Sequence, residues 1–150
     1  MSEINCQNIN PLSILIIEDN QDDVFLTELA IKECNINSEF SVVKNGEAAI
    51  ELLESFIHKN KSLPDLIFLD INLPRINGLE VLKNIKSNNI TKSIPAIVLT
   101  SSDLQSDMKY SYENGADLFI KKPNDINSFK DVVEFIKMKC LITNKQILNF

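Results

Sequence analysis

A basic excess, a working histidine, a cysteine pair and a long apolar run are all missing from this chain of 150 residues. Lys and Arg number 15 against 21 Asp and Glu, a formal net charge of -6. That balance argues against DNA, RNA or an anionic lipid surface as partner, because such binding rests on a basic face. His58 is the sole histidine; its place late in a helical pattern makes it solvent-facing, and no catalytic dyad can be built from it. Cys6, Cys34 and Cys140 are odd in number and far apart, with no CxxC. They read as reduced thiols of a cytosolic protein, not as a disulfide framework or zinc site. The opening "MSEINCQNINPL" lacks the charged and apolar regions of a signal peptide. No apolar run approaches the length of a membrane span. These absences together point to a cytoplasmic location, away from the membrane.

What is present suits one soluble domain: 44% hydrophobic and 24% charged residues, with no internal repeat, low-complexity tract or linker. Five short apolar runs stand out: "LSILII" (12–17), "FSVV" (40–43), "DLIFL" (65–69), "PAIVLT" (95–100) and "DLFI" (117–120). Too short for helices and rich in Ile, Val, Leu and Phe, they read as strands buried on both faces. Helical patterns alternate with them. Asn20 can cap a first helix, with Asp22 and Asp23 in its opening turn, where the helix dipole favours anions. The second runs through "GEAAIELLESFIHK", with an apolar stripe at Ala49, Ile50, Leu53, Phe56 and Ile57, and the third is "GLEVLKNIKSN". A fourth lies within "SDLQSDMKYSYENG", and a fifth carries the clearest stripe, at Phe129, Val132, Val133, Ile136 and Cys140. Asn45-Gly46 marks the turn before the second helix, and Asn114-Gly115 a helix stop. Strict alternation implies an α/β fold: a doubly wound, five-stranded parallel sheet, helices on both faces, in the flavodoxin-like order 2-1-3-4-5.

In such a fold the working site lies at the carboxyl ends of the strands, beside the switch point between strands 1 and 3. The first strand ends in Glu18-Asp19 and the third in Asp70. Neighbouring strands are roughly 4.8 Å apart, so the three carboxylates must crowd together. The fourth strand ends in Thr100-Ser101-Ser102 and the fifth in Lys121-Lys122-Pro123. Strand 5 lies about 10 Å from strand 3, a gap only a long side chain can bridge. Three like charges repel, so a proton or a cation must reside among them. Hard oxygen ligands without His or Cys favour Mg²⁺. A metal there would neutralise the cluster and leave Asp70 able to attack a phosphoryl group, with Thr100 and Lys122 steadying the charge that develops.

The motifs "ILIIEDN" (14–20), "LIFLDINLPRINGLEVL" (66–82), "AIVLTSSD" (96–103) and "GADLFIKKP" (115–123) resemble the receiver domain of two-component response regulators. They span nearly the whole chain in that family's order. The resemblance implies that Asp70 is phosphorylated by a sensor histidine kinase. It implies that Asp19 and Asp70 bind Mg²⁺ directly, Glu18 through water and Asn72 through its main-chain carbonyl. By the same resemblance Thr100 and Lys122 contact the phosphoryl oxygens, Phe119 is the aromatic switch residue that moves with Thr100, and the Lys122–Pro123 bond is cis. Asn72 and Ser102 hold positions that flank the path of the attacking water; both are small, so water has access and the phosphoryl group is short-lived. The longer stretch "SFIHKNKSLPD", with "NNITKSIPAIVLTSSD", is similar to stand-alone regulators that partner phytochrome-type kinases.

The expected division is an N-terminal extension over 1–11, a receiver domain over 12–140 and a tail over 141–150 too short for an output domain. Signalling then proceeds by contact: docking to a downstream target, relay to a histidine phosphotransfer protein, or homodimerisation. The contact surface expected for this is helix 4, strand 5 and helix 5, with Met108 and Tyr112 on it. Three rivals are weighed against this. A haloacid-dehalogenase-type phosphatase would need a second acid where Asn72 stands. A flavodoxin would need a Ser/Thr/Gly-rich phosphate loop where the chain has "EDNQDD". A receiver-like module that binds without phosphorylation would have no use for all five site positions.

Overall fold

Parallel pairing runs through the whole sheet. The structure, a computed structural model, describes residues 11–102 and 104–122, then 132, 134–136 and 138. Its elements alternate as expected: β1 (Leu12–Ile17), α1 (Gln21–Glu33), β2 (Ser38–Val43), α2 (Gly46–His58), β3 (Leu66–Leu69), α3 (Gly78–Ser87), β4 (Ala96–Thr100), α4 (Gln105–Glu113) and β5 (Leu118–Lys121). The strand order is β2-β1-β3-β4-β5, the flavodoxin-like arrangement. Every adjacent pair is parallel.

Side-chain alternation splits the core in two. Leu12, Ile14 and Ile16 of β1 point to one face, where they meet Ala30 and Ile31 of α1 together with Val132 and Ile136. Leu15 and Ile17 point to the other and meet Ala49 and Leu53 of α2 and Val81, Leu82 and Ile85 of α3. Helices therefore cover both faces of the sheet, as a doubly wound fold requires. Val132 and Ile136 are helical, four residues apart and wholly buried, as the fifth stripe implies; its Phe129, Val133 and Cys140 lie outside the described residues.

The expectation that all five strands are buried on both faces is corrected. It holds for the three inner strands, β1, β3 and β4, in which every residue but Ser13 is buried. No residue of β2 or β5 is buried, and Val42 is 40% exposed. The reason is position: each has a neighbour on one side only, so half its environment is the rim of the sheet.

Local chemistry places the helix ends. The Asn20 side chain accepts hydrogen bonds from the Asp22 and Asp23 amides and starts α1, and Asn45 does the same for Ala48 at the head of α2. Gly115, at φ 97, turns the chain out of α4 in a conformation that side-chain-bearing residues adopt only at a cost. Among the described residues no helix is long and apolar enough to cross a membrane.

Candidate functional site

Register brings the acidic residues together. Ile17 of β1 pairs with Leu69 of β3, so the residues that follow them, Glu18 and Asp70, emerge side by side. Both backbones stay in the ladder: the Glu18 amide donates to the Val43 carbonyl at 3.0 Å, and the Asp70 amide to the Ile17 carbonyl at 3.1 Å. Glu18 and Asp70 are only 5% and 4% exposed, while Asp19 lies open to solvent. Carboxylate oxygens of all three fall within 4.8 Å of one another. The turn that carries Asp70 toward α3 is closed by Gly78, where a Cβ would lie 2.2 Å from the Asp70 carbonyl oxygen. Only glycine lets the loop close so tightly.

One cation spans the cluster. Lys122, just past β5, sends its ammonium across to Asp70 Oδ2 at 2.9 Å and Asp23 Oδ2 at 2.8 Å, and it also pairs with Glu18 Oε1. Its position is held from behind, because the Lys122 amide donates to the Thr100 carbonyl at 2.7 Å. Burial works to lower the Lys122 pKa, but the three carboxylates outweigh it and keep the ammonium charged. Burial pushes the Glu18 carboxyl up to about 7, with Asp70 adding to the rise and Lys122 opposing it. Asp70 feels the same burial, yet hydrogen bonds with Glu18, Lys122 and the Asn72 amide hold it below its ordinary value. Near neutral pH a proton on Glu18 and the Lys122 ammonium thus balance the crowding, and Asp70 stays ionised.

Thr100 ends β4 wholly buried. Its hydroxyl oxygen accepts from the Asn72 side-chain amide at 3.4 Å and from the Ser102 backbone amide at 3.3 Å. Asn72 also sends its own backbone amide to Asp70 Oδ1 at 3.1 Å, so it touches both strand ends. The Ser102 hydroxyl turns the other way, donating to the Asp107 carboxylate of α4 and accepting from the Leu104 amide. Phe119 is half-buried against the second core cluster, and its amide donates to the Tyr112 hydroxyl at 3.0 Å.

The structure therefore gathers Glu18, Asp19, Asp70 and Lys122 at one point, with Asn72 and Thr100 beside them. Pro123, and with it the expected cis bond, lies outside the described residues. His58 is exposed at the end of α2 and takes no part. Asp23 is the partner that sequence reasoning missed: it reads as a helix-dipole residue, yet its carboxylate reaches Lys122. The signal was available, since the first turn of α1 must begin above the carboxyl end of β1.

The donor set consists of hard carboxylate oxygens, and a proton now held by Glu18 is one a divalent cation can displace. These residues fit a small hard cation such as Mg²⁺.

The response regulator receiver domain model matches residues 14–134. Response regulator Rcp1 of Synechocystis sp. is 34% identical over 128 residues, covering 85% of this chain and 87% of that one. Among solved structures, the phosphorylated cyanobacterial phytochrome response regulator RcpA superposes with a TM-score of 0.75 at 30% identity, covering 93% of this chain and 100% of that one. The Mn²⁺-bound form of Rcp1 gives 0.70 at 31% identity over 93% of this chain and 99% of that one.

Proposed function

The chain belongs to the response regulator receiver family, and from that premise we propose that Asp70 is its phosphoacceptor, served by Glu18, Asp19, Lys122 and Thr100. It is a two-component signalling protein that works with a divalent metal, Mg²⁺. The observation that carries the assignment of roles is the meeting of Glu18, Asp19 and Asp70 within 4.8 Å, with the Lys122 ammonium on Asp70. An acidic site so arranged serves a phosphoryl group better than it serves a core.

In this reading an Asp70 carboxylate oxygen attacks phosphorus, the bond from phosphorus to the donor histidine nitrogen breaks, and that nitrogen takes up a proton. Asp19 and Asp70 would hold Mg²⁺ directly, Glu18 would hold it through water and Asn72 through its main-chain carbonyl, and the bound ion would offset the like charges of carboxylates and phosphoryl oxygens. Lys122, already charged and on Asp70 Oδ2, follows the charge onto the phosphoryl oxygens. The Thr100 hydroxyl, whose oxygen is occupied as acceptor, has its own proton to donate to the phosphoryl group. Asn72 and Ser102 are small enough to admit the water that hydrolyses the acyl phosphate, so the protein dephosphorylates itself and has no external substrate to turn over.

The partner is a sensor histidine kinase, of phytochrome type by the likeness to the phytochrome response regulator RcpA. The receiver domain is assigned to residues 12–140, with 1–11 before it and 141–150 after it. Output passes through the face made by α4, β5 and the following helix, where Leu104, Met108 and Tyr112 stand exposed at four-residue spacing. That apolar stripe points outward while polar Asp107 and Ser111 point inward, the reverse of a helix that only packs. Its occupant is a downstream target, a histidine phosphotransfer protein or a second copy of the chain. The test is labelling by acetyl phosphate, followed as a mass increase. Wild type gains one phosphoryl group with Mg²⁺ and none in chelator, and Asp70→Asn gains none. Metal-independent labelling, or equal labelling of the variant, overturns the assignment.

A further inference from the structure

Helix α4 has no apolar anchor. Ser111 is its one buried residue, and no side chain of its N-cap residue, Leu104, bonds the first turn. Polar links hold it. The Tyr112 hydroxyl accepts from the Phe119 amide of β5, while the Ser111 hydroxyl donates to the Asp107 carbonyl at 2.7 Å within the helix itself. At the helix head the Asp107 carboxylate accepts from Ser102 Oγ, which in turn accepts from the Leu104 amide at 3.2 Å. The Ser102 hydroxyl thus ties the amide of the N-cap residue to the Asp107 side chain, and the Ser102 amide is fastened to Thr100 Oγ1.

The links form one chain. Asp70 Oδ1 accepts from the Asn72 amide, the Asn72 side chain donates to Thr100, Thr100 accepts from Ser102, and Ser102 donates to Asp107. Thr100 is wholly buried, so its hydroxyl cannot change partners without displacing its neighbours. We infer that Asp107 is the positioning residue through which α4 follows the state of Asp70. The inference rests on the phosphorylation proposed above. When the Thr100 hydroxyl turns to a phosphoryl oxygen, the Ser102 amide loses its acceptor and residues 100–102 rearrange. The Ser102 hydroxyl then leaves Asp107, and the first turn of α4 loosens. A helix without apolar anchors responds to the loss of one polar tie, where a packed helix would not.

The experiment is hydrogen–deuterium exchange of the α4 first turn, whose Asp107 and Met108 amides bond to the Leu104 carbonyl. It is run on the full chain with Mg²⁺, with and without acetyl phosphate, while the mass of the intact protein reports labelling. In wild type, labelling speeds exchange of this turn by roughly tenfold, the factor expected for losing a hydrogen bond to a charged acceptor. Asp107→Ala labels as fast as wild type, exchanges fast from the start and does not change further. Asp107→Asn keeps an acceptor oxygen without the charge, so it retains most of the wild-type response and separates the hydrogen bond from the helix dipole. A full phosphate response in Asp107→Ala overturns the inference, as does labelled wild type with α4 unchanged. Absence of labelling in all three proteins strikes the receiver reading itself, and this inference falls with it.

Discussion

Removing the Lys122 ammonium leaves carboxylates that cannot all stay ionised. Glu18 and Asp70 have side chains only 6% and 4% exposed, and Lys122 itself is 14% exposed. Breaking a buried ion pair by deleting one partner costs about 3–5 kcal/mol. Asp23 is a third exposed, so the lower end applies. Lys122→Met, which keeps most of the apolar stem, should lose about 3 kcal/mol at pH 8 in chelator. For a domain of this size that is a melting point lower by roughly 6–12 °C. Two treatments should restore it. Mg²⁺ supplies the missing positive charge, and acid protonates the carboxyls that lost their partner. Thermal melts followed by circular dichroism at pH 8 and pH 5, with and without Mg²⁺, give the four values needed. An equal loss in all four conditions would show that Lys122 acts by packing and would refute the charge argument.

Two further outcomes follow from the same geometry. Burial raises Glu18 to about 7 from 4.5 in the metal-free fold, so the folded state binds more protons than the unfolded chain between those values, and stability falls as pH rises through that window. Because Mg²⁺ must displace that proton, its stabilising effect on the melting point should weaken as pH falls below 7; a gain that is constant from pH 8 to pH 5 contradicts it. Gly78→Ala puts a Cβ against the Asp70 carbonyl, which costs about 3 kcal/mol and slows labelling by moving the nucleophile. A variant that melts and labels like wild type would show that the loop yields freely.

The inner sheet was legible because β1, β3 and β4 are continuous apolar runs whose polar ends face one side. Glu18, Asp19, Asp70, Thr100 and Lys122 could be placed from strand order alone, since parallel register leaves them nowhere else to go. β2 and β5 misled because a run such as "FSVV" looks the same at the rim as in the middle; exposure depends on neighbours that local sequence does not encode. Asp23 was hidden by a second, sufficient explanation, its place in the first turn of α1. Helix α4 was opaque for a related reason. Amphipathic reading expects an apolar inner face, whereas this helix turns Asp107 and Ser111 inward and Met108 and Tyr112 outward.

The central claim is that one particular carboxylate carries the phosphoryl group. Acyl phosphates are reduced by borohydride, which converts the phosphorylated aspartate to homoserine and leaves free carboxylates alone. Treating the protein with acetyl phosphate and Mg²⁺, trapping with borohydride and mapping the peptides locates the group directly. Homoserine should be found at position 70 and at no other aspartate, and its yield should vanish in chelator. Conversion at Asp19 or Asp23 instead, or none anywhere in protein that has gained phosphate, would contradict the account.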